Sequence, residues 1–262
     1  MTQLLMSKPE HIEGASPVDL RHAQSQWKTL HDALITVGYK VECLPDVSYV
    51  KHYYAMSRHG LLIDNKALLA FHASSTHDQQ TSPYLAAWCH YHAKKRPLRV
   101  ETTRLHPERT VPIAYAGHAD TLYIDQCLYF GYGANSVHEI ANDLITKTGK
   151  RVVDLFITEP GAHLIDFVLP VHDGQIFCDP SGLHPNSVSV LADCFSLHNL
   201  QDPKACYPAQ SMICGQKAIV SSECHETQLM LAEHGYEVLT IDMQFFHSMG
   251  LGPRALTLPL FV

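Results

Sequence analysis

Three stretches far apart in the chain end alike: GYKVECL (38–44), GKRVVDL (149–155) and GYEVLTI (235–241). Each reads glycine, one residue, a charge, valine and then a strand, so a structural unit is repeated and each copy must stack on its neighbours. A helical pattern precedes each ending. Trp27, Leu30, Leu34 and Val37 fall on one face at the helical period. Ser136-Val137-His138-Glu139 has the form of a capping box opening a helix that stops at Gly149. Gly38, Gly149 and Gly235 then serve as helix-terminating residues in the left-handed conformation. Upstream, 61–71, 122–130, 169–178 and 212–221 each place Asp or Gly with a polar partner between two apolar runs, the signature of a hairpin. The unit is strand–turn–strand–helix–strand, with copies near 54–105, 121–157, 163–203 and 209–243.

A fifth copy is divided. The final strand, ALTLPLFV (255–262), has no hairpin after it, and the first strand, TQLLMS (2–7), has none before it. Joining the two completes a unit. The pattern predicts an α/β fold of five ββαβ blades in a closed ring, with the N- and C-terminal strands sharing one blade. It is read as a single domain, 1–262.

Composition narrows the function. The 262 residues are 46% apolar, enough for a proper core. No apolar run approaches the ~18 residues of a membrane span, and the N-terminus lacks the form of a signal peptide, so a cytoplasmic protein without a membrane partner is expected. Net charge is −7, and the basic run Lys94-Lys95-Arg96 stands alone, which argues against nucleic acid. Nineteen histidines would reverse the sign of that charge well below pH 6. The eight cysteines are scattered without a CxxC pair and read as mostly reduced core residues. Cys89-His90-Tyr91-His92 has no second cluster at ligand spacing, so no metal and no cofactor are expected.

The repeat, the GYG at 131–133, the stretch 222–238 and GLGPRALTLPL (250–260) together resemble the pentein, or β/α-propeller, guanidine-modifying superfamily. Its members include arginine deiminase, dimethylarginine dimethylaminohydrolase and the amidinotransferases. The resemblance spans nearly the whole chain and implies an amidinotransferase-like or hydrolase-like role in arginine metabolism. In that family a cysteine thiolate in the last glycine-rich loop attacks the guanidino carbon, a histidine shuttles protons, and carboxylates hold the planar cation.

By this resemblance the nucleophile position is Ala255, and the histidine is His163 in His163-Leu164. Ile165 takes the place of a carboxylate; its neighbour Asp166, read as strand, would face the other way. The family's Phe-Glu-Gly-Gly-Asp becomes Tyr115-Ala116-Gly117-His118-Ala119-Asp120, which keeps Asp120 and loses the glutamate. Its carboxylate-binding arginine becomes Asn135. The acidic motif of the first blade becomes the segment from Lys51 to Arg58. His118, Asp120, Asn135 and Asp166 are the expected substrate-binding residues, and His118, Asp120 and Asn135 are expected to converge with His163 and Ala255 on one central pocket.

The favoured expectation is a catalytically lapsed relative, a pseudoenzyme that holds a small ligand in its central cavity. One alternative is an active thiol hydrolase or amidinotransferase acting on arginine-like compounds, seen as a Cys-to-Ala variant. The other is a non-catalytic pentein that only binds proteins.

Overall fold

The computed structural model describes residues 3–44, 54–71, 82–93, 98–102 and 114–260. Of the segments singled out above, 51–53, 94–96 and 261–262 lie outside these residues. Four consecutive ββαβ units are present. The first comprises β3 (Gly60–Ile63), β4 (Lys66–Leu69), α2 (Ser82–Ala93) and β5 (Arg99–Thr102). The second comprises β6 (Thr121–Ile124), β7 (Cys127–Tyr132), α3 (Ile140–Thr148) and β8 (Arg151–Phe156). The third comprises β9 (Val168–Pro170), β10 (Gln175–Cys178), α4 (Pro185–Cys194) and β11 (Ser196–Asn199). The fourth comprises β12 (Met212–Cys214), β13 (Lys217–Ser221), α5 (His225–Glu233) and β14 (Glu237–Ile241).

Both ends of the chain build the fifth sheet. β15 (Leu258–Leu260) pairs antiparallel with β1 (Gln3–Met6), in the register Leu4 to Pro259. After α1 (Pro17–Val37) the chain returns as β2 (Lys40–Cys43), parallel to β1. Every sheet has this order, an antiparallel pair followed by a parallel crossover through a helix. The expected pairing of the two termini is therefore present.

Local chemistry explains the turns. Asp125 and Gln126 both have positive φ, 48° and 64°, as a two-residue turn between twisted strands requires. Gly38, Gly149 and Gly235 end their helices with φ of 109°, 71° and 85°. The capping box expected at Ser136 is absent. Glu139 begins α3 without a side-chain cap, and the Ser136 hydroxyl is turned inward. A genuine capping box opens α1, where Ser16 and Asp19 exchange bonds.

Burial grades across each sheet. All four residues of β3 are buried, whereas the last strands β2, β5 and β11 share an exposed–intermediate–intermediate–exposed pattern. Charged ends such as Lys40 and Arg99 keep these unpaired edges wet. Each helix fills the wedge between its own sheet and the preceding one. Leu85 and Trp88 of α2 pack with Leu62 and Leu69, and also with Leu5, Leu258 and Leu260 of the terminal sheet. Ile140 and Leu144 of α3 pack with Leu128 and with Leu61 and Ile63 of β3. Leu231 of α5 does the same between β13 and Phe177 of β10.

Cys206 and Cys224 form a disulfide with Cα atoms 5.8 Å apart, which corrects the expectation of reduced cysteines at these two positions. Asp202 lies beside the pair, but its carboxylate accepts the N–H groups of Glu226 and Thr227 at the start of α5. The Cys89–His92 tract is part of α2. There His92 stacks on Trp88 and pairs with Glu42 at 3.0 Å.

Candidate functional site

The segments just before the first strands carry the polar chemistry. Gly117–Asp120 forms a 3₁₀ turn ahead of β6, and Leu164–Asp166 forms another ahead of β9. Gly117 has φ +64°, and a Cβ there would lie 2.6 Å from the Gly60 nitrogen, so only glycine lets these backbones approach. The contact brings the turn against β3 and sets Asp120 inward.

Asp120 is almost wholly buried and anchors a polar network. Its Oδ1 lies 3.0 Å from His163 Nδ1 and accepts the Leu164 N–H at 3.1 Å. Its Oδ2 accepts the Ser136 hydroxyl at 2.6 Å, and Ser136 in turn accepts the Ala116 N–H at 2.9 Å. A carboxylate can only accept, so Nδ1 of His163 carries the proton and Nε2 is left as the basic nitrogen. No hydrogen bond to Nε2 is made among the described residues. The carboxylate thus fixes the orientation of a buried histidine.

Asp166 departs from the strand reading. In a 3₁₀ turn residue i+3 comes back over residue i, so the Asp166 Oδ2 accepts the His163 N–H at 2.7 Å. Burial raises the Asp166 carboxyl above the usual range, against the opposing pull of His163, Arg58 and Gln210. The Gln210 amide donates to Asp166 Oδ1 at 2.5 Å and accepts the Gly252 N–H at 2.5 Å. One side chain thus ties the histidine turn to the last glycine-rich loop. A Cβ on Gly252 would meet Gln210 at 2.8 Å, which accounts for glycine there.

Two cavities lie at the two ends of the first strands. One, of about 420 Å³, is lined by pre-strand residues including Arg58, Glu159, Asp166, Lys204, Tyr207 and Gly250. Lys204 pairs with Glu159, so the walls carry both signs of charge. The other, of about 230 Å³, is lined by strand residues such as Leu122, Leu169, Met212 and Pro259, with His118 and Arg254.

The expected site residues are thus divided. His163, Asp120 and Asp166 share one hydrogen-bonded cluster, and Asp166 reaches the larger cavity. His118 lines the smaller one instead. Burial, and then the charge of Arg254, push its imidazole down to about 3, so it is neutral at ordinary pH. Asn135 stands behind the larger cavity and donates to the carbonyl of Ala162 on its rim at 2.9 Å. Ala255 is 1% exposed and lines neither cavity; its carbonyl accepts the Ser57 N–H at 3.1 Å. Ser136, Gln210 and Arg254 were not anticipated as site residues.

No other thiol is presented to the larger cavity. Cys178 is buried and its thiol pushed up to about 12 by desolvation, and Cys224 is in the disulfide.

The fold matches solved structures. The N-terminal domain of ArgZ bound to product, an arginine dihydrolase of cyanobacteria, superposes with a TM-score of 0.86 at 18% identity, covering 99% of this chain and 97% of that one. A dimethylarginine dimethylaminohydrolase adduct with S-methyl-L-thiocitrulline superposes at 0.81 and 15% identity, over 99% of this chain and all of the other. In sequence, the dimethylarginine dimethylaminohydrolase of Mycobacterium tuberculosis (strain ATCC 25618 / H37Rv) is 25% identical over 162 residues, 62% of this chain.

The chain has the pentein fold.

The match to the mycobacterial enzyme spans about half of that relative's length, 49%. No family model matches this chain. A cysteine-to-alanine mutant of AgrE, solved as a binary complex with L-arginine, superposes at 0.86 and 18% identity, over 99% of this chain and 40% of that one. No helix among this pentein's described residues is long and apolar enough to cross a membrane.

Proposed function

We propose that this pentein is a single-domain, closed five-bladed ring that holds a small polar ligand of mixed charge and no longer performs thiol-dependent guanidino chemistry. The observation that carries the reading is Ala255: the resemblance makes it the nucleophile position, and the residue there is a buried methyl with no thiol. Losing the nucleophile alone costs about 10⁴–10⁶ in rate. Ring closure is supported by the sheet built from both termini and by helices that pack on their own and the preceding sheet. The ligand site is the 420 Å³ cavity, where Arg58 and Lys204 face Glu159 and Asp166. That lining suits a zwitterion of amino-acid size, with paired charges on both partners. A polar cavity of this size favours a ligand over a purely protein-binding role.

A second reading rests on the His163–Asp120–Ser136 network, which keeps its proton-transfer geometry. Were Ala255 a substitution for cysteine, this network would serve a thiol at once. The AgrE alanine mutant that holds L-arginine is the precedent for such a chain binding its substrate.

Ala255→Cys separates the two. Assays for ammonia, citrulline and urea from arginine and dimethylarginine are expected to show no turnover, because Ala116 and Asn135 replace the groups that would align a guanidinium. Robust product from this single change would overturn the lapsed-enzyme reading. Thermal shifts with arginine, agmatine, dimethylarginine, citrulline and anionic metabolites test the ligand class directly.

A further inference from the structure

Arg254 is a buried arginine on which the Asp166 carboxylate acts through space rather than in an ion pair. It is 7% exposed, and its Nη1 donates to the backbone carbonyls of Val168 and Ala209 at 2.8 and 3.0 Å. No ion pair to it exists among the described residues, and its Nε and Nη2 make no hydrogen bond there. A buried guanidinium in that state is costly, and proteins retain one where a partner arrives from outside.

The 230 Å³ cavity beside Arg254 has the complementary shape. It contains no acidic residue. Its other polar side chains are already engaged: Tyr39 donates to the Ile213 carbonyl, Ser211 to that of Pro208 and Thr257 to that of Arg254. Neutral His118 and Tyr123, whose hydroxyl donates to Gln126, add further polar groups, and the remaining walls are largely apolar, from Leu4, Leu122, Leu169 and Met212. The space is below the ~300–1,000 Å³ of drug-sized sites. Its lining shares no residue with the cavity assigned above, although Gln210 links the two by accepting the Arg254 N–H and donating to Asp166.

We infer that this cavity is a second binding site, for a small organic monocarboxylate with an apolar body, whose carboxylate takes the open Nε–Nη2 edge of Arg254. The planar edge matches two carboxylate oxygens, and the aliphatic walls accept the hydrocarbon part. An inorganic oxyanion would satisfy the arginine but leave the apolar walls in contact with water or empty.

The test uses the full chain in a zwitterionic buffer, with sodium chloride holding ionic strength constant. Sodium isovalerate is the probe and sodium phosphate the comparison. The His118 ring signals, assigned through His118→Gln, are followed by NMR alongside the melting temperature. Isovalerate is expected to shift the His118 signals saturably. At a hundredfold excess over Kd it should raise the melting temperature by about 5–10 °C. Phosphate should bind at least about tenfold more weakly, Arg254→Lys should lose about tenfold, and Arg254→Met should lose binding. Should Arg254→Met fail to fold, the His118 titration of the unmodified chain decides the matter. No saturable His118 shift with isovalerate, equal binding by a folded Arg254→Met, or tighter binding of phosphate would each overturn the inference.

Discussion

His118 offers a measurement in which one buried side chain controls acid stability. Its imidazole is pushed from 6.5 to about 3, first by desolvation and then by Arg254; Tyr39 and Tyr123 line the same cavity. Below pH 6.5 the unfolded chain binds a proton at this residue that the folded chain refuses. Stability contributed by the neutral ring is therefore complete above pH 6.5 and is lost as pH falls toward 3. At about 1.4 kcal/mol per unit, the 1.5 units between 6.5 and pH 5 correspond to a loss of about 2 kcal/mol. His118→Gln removes the titration while keeping a polar side chain. Urea unfolding of both proteins at pH 7.5 and pH 5 isolates the effect, because the other eighteen histidines cancel in the comparison. The parent should lose about 2 kcal/mol more than the variant over this interval. A differential below about 0.5 kcal/mol would show that His118 is solvated or already charged, and would refute the argument.

Two further outcomes follow from the geometry. Ser136→Ala leaves Asp120 Oδ2 and the Ala116 N–H without a shared partner in a buried position; it should cost about 1–3 kcal/mol in chemical denaturation, well above a surface change. A chain ending at Arg254 loses the buried side chains Leu256, Leu258 and Leu260, worth about 2 kcal/mol each. It also leaves β1 without its antiparallel partner, so it should fail to fold by circular dichroism rather than behave as a trimmed protein.

How far the sequence could be read depended on the range of each interaction. The repeat was legible because helix period, terminal glycines and two-residue turns are local signals. Gly38, Gly149 and Gly235 needed only their own backbone angles to be recognised. Ser136 misled because Ser-x-x-Glu is a local pattern, whereas its hydroxyl bonds Asp120, sixteen residues earlier. His118 and Asp120 would share a face in a strand of period two. They sit instead in a 3₁₀ turn, which separates residues two apart, so one enters the Asp120–His163 network and the other the second cavity. Asp166 was misdirected by the same assumption, in the opposite sense. Gln210 joins Asp166 and Gly252 across more than forty residues in each direction, and no spacing rule announces such a link. The Cys206–Cys224 bond closes a separation of eighteen residues that scattered cysteines do not reveal.

The sheet shared by β1 and β15 also bears on how the protein is made. Leu4 leaves the ribosome 255 residues ahead of its partner Pro259 (259 − 4). Until then β1 can pair only with β2, and its other edge stays open for most of synthesis. The four internal units can form their hairpins and crossovers as they emerge, because their pairings lie within one unit. The terminal pairing has the longest sequence separation of any strand pair among the described residues, so it carries the largest loop-closure cost and should come last. An unpaired apolar strand exposed for that long is the segment most open to capture by another nascent chain, or to shelter by a chaperone.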